Sequence, residues 1–265
     1  FIGLKEIPDN YIFYLSRALL LEKNNKLDPL KDLKIAYHLN PKNWRVAKAL
    51  SNYYLSKNEN INALKIIKKE YNKNTSNYII GMDYVKILIK LKKYKDAIST
   101  LGKLEILPYE HSGEGRDLYT SAYFGASLKE IEKSNYNSAI TLLETSKKWP
   151  ENLGVGKPYD SDERIQNYLL YHCLSKTNKE DDSSYLKKII NYSRKNISVK
   201  SSLHILGIKA IKKIEGEQSS KEFVEKLLNS NHGSSKETKW ISNYLNNKNI
   251  KKEEFNNELL YTLLS

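Results

Sequence analysis

Asn60-Ile61-Asn62-Ala63 and Tyr94-Lys95-Asp96-Ala97 each open a segment of helical pattern, and their alanines stand 34 residues apart. One step of 34 back from Ala63 reaches Pro29, from which Leu30, Leu33 and Ala36 run to a break at Leu39-Asn40-Pro41. Tyr136-Asn137-Ser138-Ala139 repeats the opening downstream, 42 residues after Ala97, so eight residues have been inserted. Four places after each of these positions comes a large apolar residue: Leu33, Ile67, Leu101 and Leu143. A small residue lets the two helices of a hairpin cross closely, and a large one a turn later fills the gap to the next hairpin. Self-similarity at this period predicts stacked helical hairpins.

The pattern extends outward from there. In Asn43 to Ser56 the set Val46, Ala47, Leu50, Tyr53 and Tyr54 falls on one helical face. Three- and four-residue apolar spacing also predicts helices over 61–71, 78–91, 94–104, 118–131 and 136–147. Beyond Pro158 the same reading gives 162–175, 184–194, 199–214, 220–228, 236–245 and 251–264. All six prolines, Pro8, Pro29, Pro41, Pro108, Pro150 and Pro158, sit at starts or breaks. The expectation is an all-α chain of about twelve helices without strands.

Composition excludes several classes. The chain has 265 residues, 40% of them apolar and 28% charged, enough for a sizeable core. No run approaches the roughly 18 apolar residues of a membrane span. Cys173 stands alone, which excludes an internal disulfide framework and a cysteine-rich zinc site and leaves the compartment open, with cytoplasm slightly favoured over periplasm. The net charge of +13 invites a nucleic-acid reading, but only five of 44 basic residues are arginine, the side chain that forks onto phosphates and base edges. Abundant Lys, Asn, Ile and Tyr is what an AT-rich genome gives. A start at Phe1, with no basic or apolar leader, is expected of a piece of a longer protein.

With this period and these residues the chain resembles the tetratricopeptide-repeat superfamily, over residues 10–150 by motif and beyond by hairpin rhythm. Glu70 and Ser146 replace the usual small residue, and Thr75 the closing proline. The resemblance implies a right-handed superhelical α-solenoid of about six hairpins, one repeat domain over 1–265. Its recognisable repeats occupy 10–150, with insertions at 107–116 and 149–160, and degenerate hairpins fill 161–265, the last of them polar enough to be a cap. Asn43-Trp44-Arg45, Ile106-Leu107-Pro108-Tyr109-Glu110 with Gly113-Glu114-Gly115-Arg116, and the run Trp149 to Asp160 look like the C-terminal repeat region of large bacterial proteins of unknown function. In that family a β-rich domain associated with carbohydrate handling precedes the repeats. The resemblance implies that catalytic machinery lies there, and carries no site residues onto this chain.

The superfamily binds partner peptides in a concave groove lined by the first helix of each repeat. If Trp44 opens the second repeat, Lys48 and Asn52 match two positions of a carboxylate clamp. The later positions hold Met82 and Lys86, then Ser121 and Gly125, so the clamp is incomplete. Tyr11, Tyr14, Arg45, Ile79, Met82, Lys86 and Phe124 would instead make an aromatic and basic groove, suited to an acidic or apolar segment, unless several of them only pack on the next repeat.

The two long segments are the other candidates, since loops of ten or more residues rich in Gly, Pro and aromatics are uncommon between repeat helices. Both follow second helices, which should place them on one edge. Trp149 and Tyr159 then offer stacking surfaces, with Glu114, Arg116, Glu151, Lys157 and Asp160 as polar groups for a sugar or a partner's loop. The competing reading makes Trp149 a lid over the core and pairs the charges with one another.

Other chemistry is poorly supported. Gly154-Val155-Gly156-Lys157 fails as a phosphate loop, because Glu151 stands where the first glycine is needed and Pro158 follows the lysine. The histidines His38, His111, His172, His204 and His232 show no metal-binding spacing, and no cofactor motif is present. His172 and Cys173 are neighbours about 100° apart on a helix, so a buried Cys beside a partly exposed His is expected. Asp160, Asp162, Glu163 and Arg164 are read as helix-start residues, and Glu110 with Glu151 as a remote acid–base pair. The chain is therefore read as an interaction scaffold and not an enzyme by itself, its partner a protein or the rest of its parent chain. The alternative is an accessory sugar-binding region.

Overall fold

The computed structural model describes residues 7, 9–24, 27–108, 113–177, 183–230 and 233–246. The helix expected over 251–264 lies outside them, as do Tyr109, Glu110, His111 and His232. Among the described residues there are thirteen α-helices and no strand: α1 Tyr11–Asn24, α2 Leu30–Leu39, α3 Trp44–Ser56, α4 Asn60–Lys73, α5 Tyr78–Lys90, α6 Tyr94–Leu101, α7 Glu114–Glu132, α8 Tyr136–Ser146, α9 Arg164–Lys176, α10 Ser184–Lys195, α11 His204–Glu215, α12 Glu217–Leu228 and α13 Lys236–Leu245. A 3₁₀ turn covers Glu151–Leu153. The fold is an all-α helical repeat.

The repeat is visible at three levels. Ala63, Ala97 and Ala139 are completely buried, as are their large partners Leu33, Ile67, Leu101 and Leu143. Asn43 and Asn77, 34 residues apart, cap α3 and α5 with side-chain oxygens that accept from Arg45 N and Ile80 N. The turn from first to second helix is also the same three times. Asn58, Lys92 and Ser134 adopt left-handed φ of 60°, 56° and 60°, while Glu59, Lys93 and Asn135 each donate 2.8 Å back to Tyr54, Leu88 and Glu130 carbonyls. This is the six-to-one bond that satisfies the last helix carbonyls.

A left-handed conformation costs a residue with a Cβ about 1–2 kcal/mol, partly offset in glycine by its freer unfolded chain. Ser134→Gly, at an exposed turn, is therefore expected to stabilise by about 0.5–1 kcal/mol. Urea unfolding checks it, and a destabilised variant would contradict it.

The described residues form two compact units. The first holds residues 1–126 and 149–156, the second 127–148 and 157–265, and α7 passes from one to the other. In the first, α1–α2, α3–α4 and α5–α6 are hairpins, α2 packs on α3, α4 on α5, and α3 also touches α5. One cluster gathers Ala18, Leu33, Leu50 and Tyr53. A larger one runs from Ala63 and Ile67 through Val85, Ile87 and Leu88 to Leu101, Leu104, Ile106 and Leu153. In the second unit α8 packs on α9, α9 on α10, α10 on α11 and α11 on α12, around Leu169, Leu170, Ile189, Ile190, Ile205 and Leu206.

Two helix starts differ from expectation by four residues or more. α7 begins at Glu114 rather than Leu118, because its first turn is acidic and glycine-bearing and so carries no apolar period, while Glu114 and Asp117 favour the positive helix end. α11 begins at His204 rather than Val199. Val199 N is held by Asn196 O, and Ser201 Oγ accepts from Leu203 N, which turns the chain before the helix can start.

Candidate functional site

Among the first-helix residues, Lys48, Asp83, Lys86 and Glu114 form a ladder of alternating charge in the first unit. Lys48 Nζ lies 3.1 Å from Asp83 Oδ2, Lys86 Nζ lies 3.2 Å from Asp83 Oδ1, and Lys86 also pairs with Glu114. Asp83 is buried, whereas both lysines are about one-third exposed. Burial works against the Lys86 ammonium, but the carboxylates of Glu114 and Asp83 outweigh it and hold its pKa above the ordinary lysine value. Asp83 was missed from sequence. Its signal is a lone carboxylate in the otherwise apolar helix YIIGMDYVKILIK, three residues before a lysine.

Beside the ladder, Arg45 and Asn52 are exposed on α3, and the Arg45 guanidinium sits 4.4 Å from the centroid of the Trp44 ring. Asn43 Nδ2 donates to Tyr11 Oη at 2.8 Å and so ties the start of α3 to the start of α1. Asn10 caps α1 by accepting from Ile12 N, as Asn43 does from Arg45 N. By this register Ile12 and Leu19 hold on α1 the places that Arg45 and Asn52 hold on α3. Both are about half exposed. Tyr14 and Ile79 are half-buried, with the Arg17 guanidinium 5.8 Å from the Tyr14 ring.

Met82 and Phe124 are corrections. They retain 4% and 6% of their exposure and belong to the core. For Met82 the reason is that α5 is apolar around nearly its whole circumference and cannot present every groove position to solvent, whereas Phe124 lies on α7 in the buried run that also holds Ala122 and Ala126.

The two long segments meet in the first unit. Asn152 Nδ2 donates to the carbonyls of Leu101 and Leu104, at 3.0 and 2.8 Å, and its own carbonyl accepts from Ile106 N at 2.8 Å. These bonds cap the end of α6, 51 residues away in sequence. Leu153 is buried against Ile106. Gly154 has φ of +72°, and a Cβ there would lie 2.6 Å from the Ile106 carbonyl oxygen, so only glycine fits the turn.

Arg116 is the third correction. It retains 7% exposure, its guanidinium lies 4.5 Å from the Trp149 ring and 5.3 Å from the Tyr119 ring, and it donates to Thr120. A cation packed between two rings is not available to a ligand. Trp149 is half-buried and Glu151 exposed. Lys157, Tyr159 and Asp160 belong to the second unit. Lys157 pairs with Glu163 at 3.3 Å, Asp160 with Lys195 at 2.9 Å, and the Tyr159 ring is wholly exposed with Lys195 Nζ 5.8 Å from its centroid.

Comparison with known proteins bears on the fold alone. No family model matches the chain, and no curated protein matches it. Solved structures do. YrrB, described as a TPR protein with an unusual peptide-binding site, is 19% identical with a TM-score of 0.50, over 79% of this chain and 96% of that one. The chain has a tetratricopeptide-like fold. PilW, described as a widely conserved type IV pilus biogenesis factor, is 16% identical with a TM-score of 0.50, over 86% of this chain and 96% of that one.

Within this tetratricopeptide-like fold the degenerate positions are satisfied locally. Buried Glu70 pairs with Lys73 at 2.6 Å, and Lys73 also donates to Pro41 O, the carbonyl at the preceding repeat junction. Ser146 Oγ donates to Leu143 O. The segment before α9 does more than start a helix. Asp162 accepts from Arg164 N at 3.1 Å and holds the Arg164 guanidinium with both oxygens, at 2.9 and 2.7 Å. Arg164 is 1% exposed. Its remaining donors reach Ser193 Oγ, Ser201 Oγ and His204 Nδ1, and its Cζ is 5.0 Å from the Tyr192 ring.

Cys173 is buried, and burial pushes its thiol up to about 11, so it is no nucleophile at neutral pH. His172 meets the edge of Tyr136 at 6.4 Å. Among the described residues no group of three or more His, Cys, Asp and Glu could hold a metal ion, and no helix is long and apolar enough to cross a membrane.

Proposed function

We propose that the chain is a protein-interaction region and not an enzyme by itself, and that it takes a segment of a partner across the first-helix face of its first unit. The observation that carries this reading is the exposed row Ile12, Leu19, Arg45 and Asn52 beside a charge ladder in which Lys48 and Lys86 are already matched by Asp83 and Glu114. Such a row suits a ligand with apolar side chains over α1 and a carboxylate at Arg45. The peptide-binding site named for YrrB is in keeping with this. The partner is either another protein or the rest of a parent chain, where tethering gives about millimolar effective concentration and a modest interface suffices.

A second reading, an accessory sugar site, has one observation in its favour: the exposed Tyr159 ring beside Asp160 and Lys195. Stacking on such a ring is how a protein holds a flat apolar sugar face.

Selection of random 16-residue peptides on the folded chain tests the proposal. The selected peptides should lose at least about tenfold in affinity, or 1.4 kcal/mol, to an Arg45→Ala, Asn52→Ala variant that melts like the parent. Peptides that bind both proteins equally, or no selected peptides at all, would sink it.

A further inference from the structure

His204 opens α11 at 1% exposure with both ring nitrogens committed. Nδ1 lies 3.2 Å from Arg164 Nη1, and Nε2 lies 2.9 Å from the Val199 carbonyl oxygen. A guanidinium can only donate and a carbonyl can only accept, so Nδ1 must be the acceptor and Nε2 must carry the proton. The ring is therefore fixed as the neutral Nε2–H tautomer. A second proton would land on Nδ1, turning donor against donor and setting a cation 3.2 Å from another in a buried site.

The surroundings offer little relief. Before α9 stands Asp162, with both oxygens already taken by Arg164. From α10 come Ser193 and the Tyr192 ring, from the turn 196–203 the Val199 carbonyl and Ser201, and from α12 the uncharged Phe223 ring at 6.3 Å. Among the described groups in this cluster, Asp162 is the sole carboxylate.

We infer that His204 is an acid-sensitive latch of the second unit: in mildly acidic solution it takes up a proton, separates from Arg164, and frees the turn 196–203 together with the segment 157–163 that Arg164 ties to it. Burial, reinforced by the Arg164 charge, holds the His204 pKa below the ordinary histidine value, against the opposing bond to Val199 and the Asp162 charge. With a depressed folded pKa, the contribution is complete above the unfolded value of about 6.5 and is lost as pH falls through the folded one. The segment it frees carries Tyr159 and Asp160, so acid would loosen that exposed surface while leaving the first unit folded.

Hydrogen exchange of the whole chain at pH 7.5 and 5.0, corrected for intrinsic rates, tests the latch against His204→Gln. This variant keeps one acceptor and one donor at the end of its side chain, for Arg164 and Val199 O, and takes up no proton. Protection of 157–163 and 196–203 should fall at least about tenfold more in the parent than in the variant, with α3 to α6 unchanged in both. Equal loss in the two proteins overturns the latch. If the variant is unfolded at pH 7.5, the His204 imidazole resonance of the parent decides. A midpoint below the ordinary histidine value that coincides with loss of protection is expected, and a midpoint at or above that value overturns it.

Discussion

Arg164→Ala is expected to cost the second unit about 3–5 kcal/mol, the range for breaking a buried, hydrogen-bonded charge pair by removing one partner. At 1% exposure Arg164 joins five groups: Asp162, Ser193, Ser201, His204 and the Tyr192 ring. Truncation leaves Asp162 partly hydrated, since it is 29% exposed, but strands the Ser193 hydroxyl and the His204 acceptor in the core. Arg164→Lys should recover little, because one ammonium cannot serve both carboxylate oxygens and three further acceptors. Urea unfolding followed by circular dichroism reads the loss, with the first unit's transition as an internal reference. A cost under about 1 kcal/mol would mean that water replaces these bonds without penalty.

Leu153→Ala is expected to destabilise the first unit by about 2–5 kcal/mol, as a buried leucine does when its cavity cannot collapse. The site is rigid on three sides, with Ile106 packed on Leu153, Gly115 against its carbonyl, and Asn152 bonded to Leu101 and Leu104. The substitution therefore separates the two readings of the long segments. A structural closure of the α6 end loses stability when Leu153 is cut back and loses further when Trp149→Ala removes the ring over Arg116. A ligand site would lose affinity with little change in melting. An unchanged melting curve for Leu153→Ala would contradict the closure.

Much of the fold could be read from the chain because helical repeats are local. Ala63, Ala97 and Ala139 and their large partners needed only spacing to be placed in the core. Helix starts were less legible where the first turn carries no apolar residue, as at Glu114, or where serines turn the chain first, as at Ser201. The candidate site was harder, because its decisive contacts cross long separations. Asn152 reaches Leu101 over 51 residues, and Arg164 reaches His204 over 40. No periodicity reports such pairs. Repeat position alone puts Met82 and Phe124 on the groove, and only their burial shows them to be core residues; for Met82 the ambiguity comes from a helix apolar on nearly all sides. Asp83 was legible in principle, since a carboxylate set among Met, Tyr, Val and Ile calls for a cationic partner.

In the proposed function, partners engage the first-helix face of the first unit while 149–156 serves the core. Amide chemical-shift mapping of the chain with a saturating selected peptide tests it most directly. Shifts are expected to cluster at residues 12, 19, 45, 48, 52, 79 and 86, with 149–156 unmoved. Shifts clustered at 149–160, with α1 and α3 silent, would contradict it.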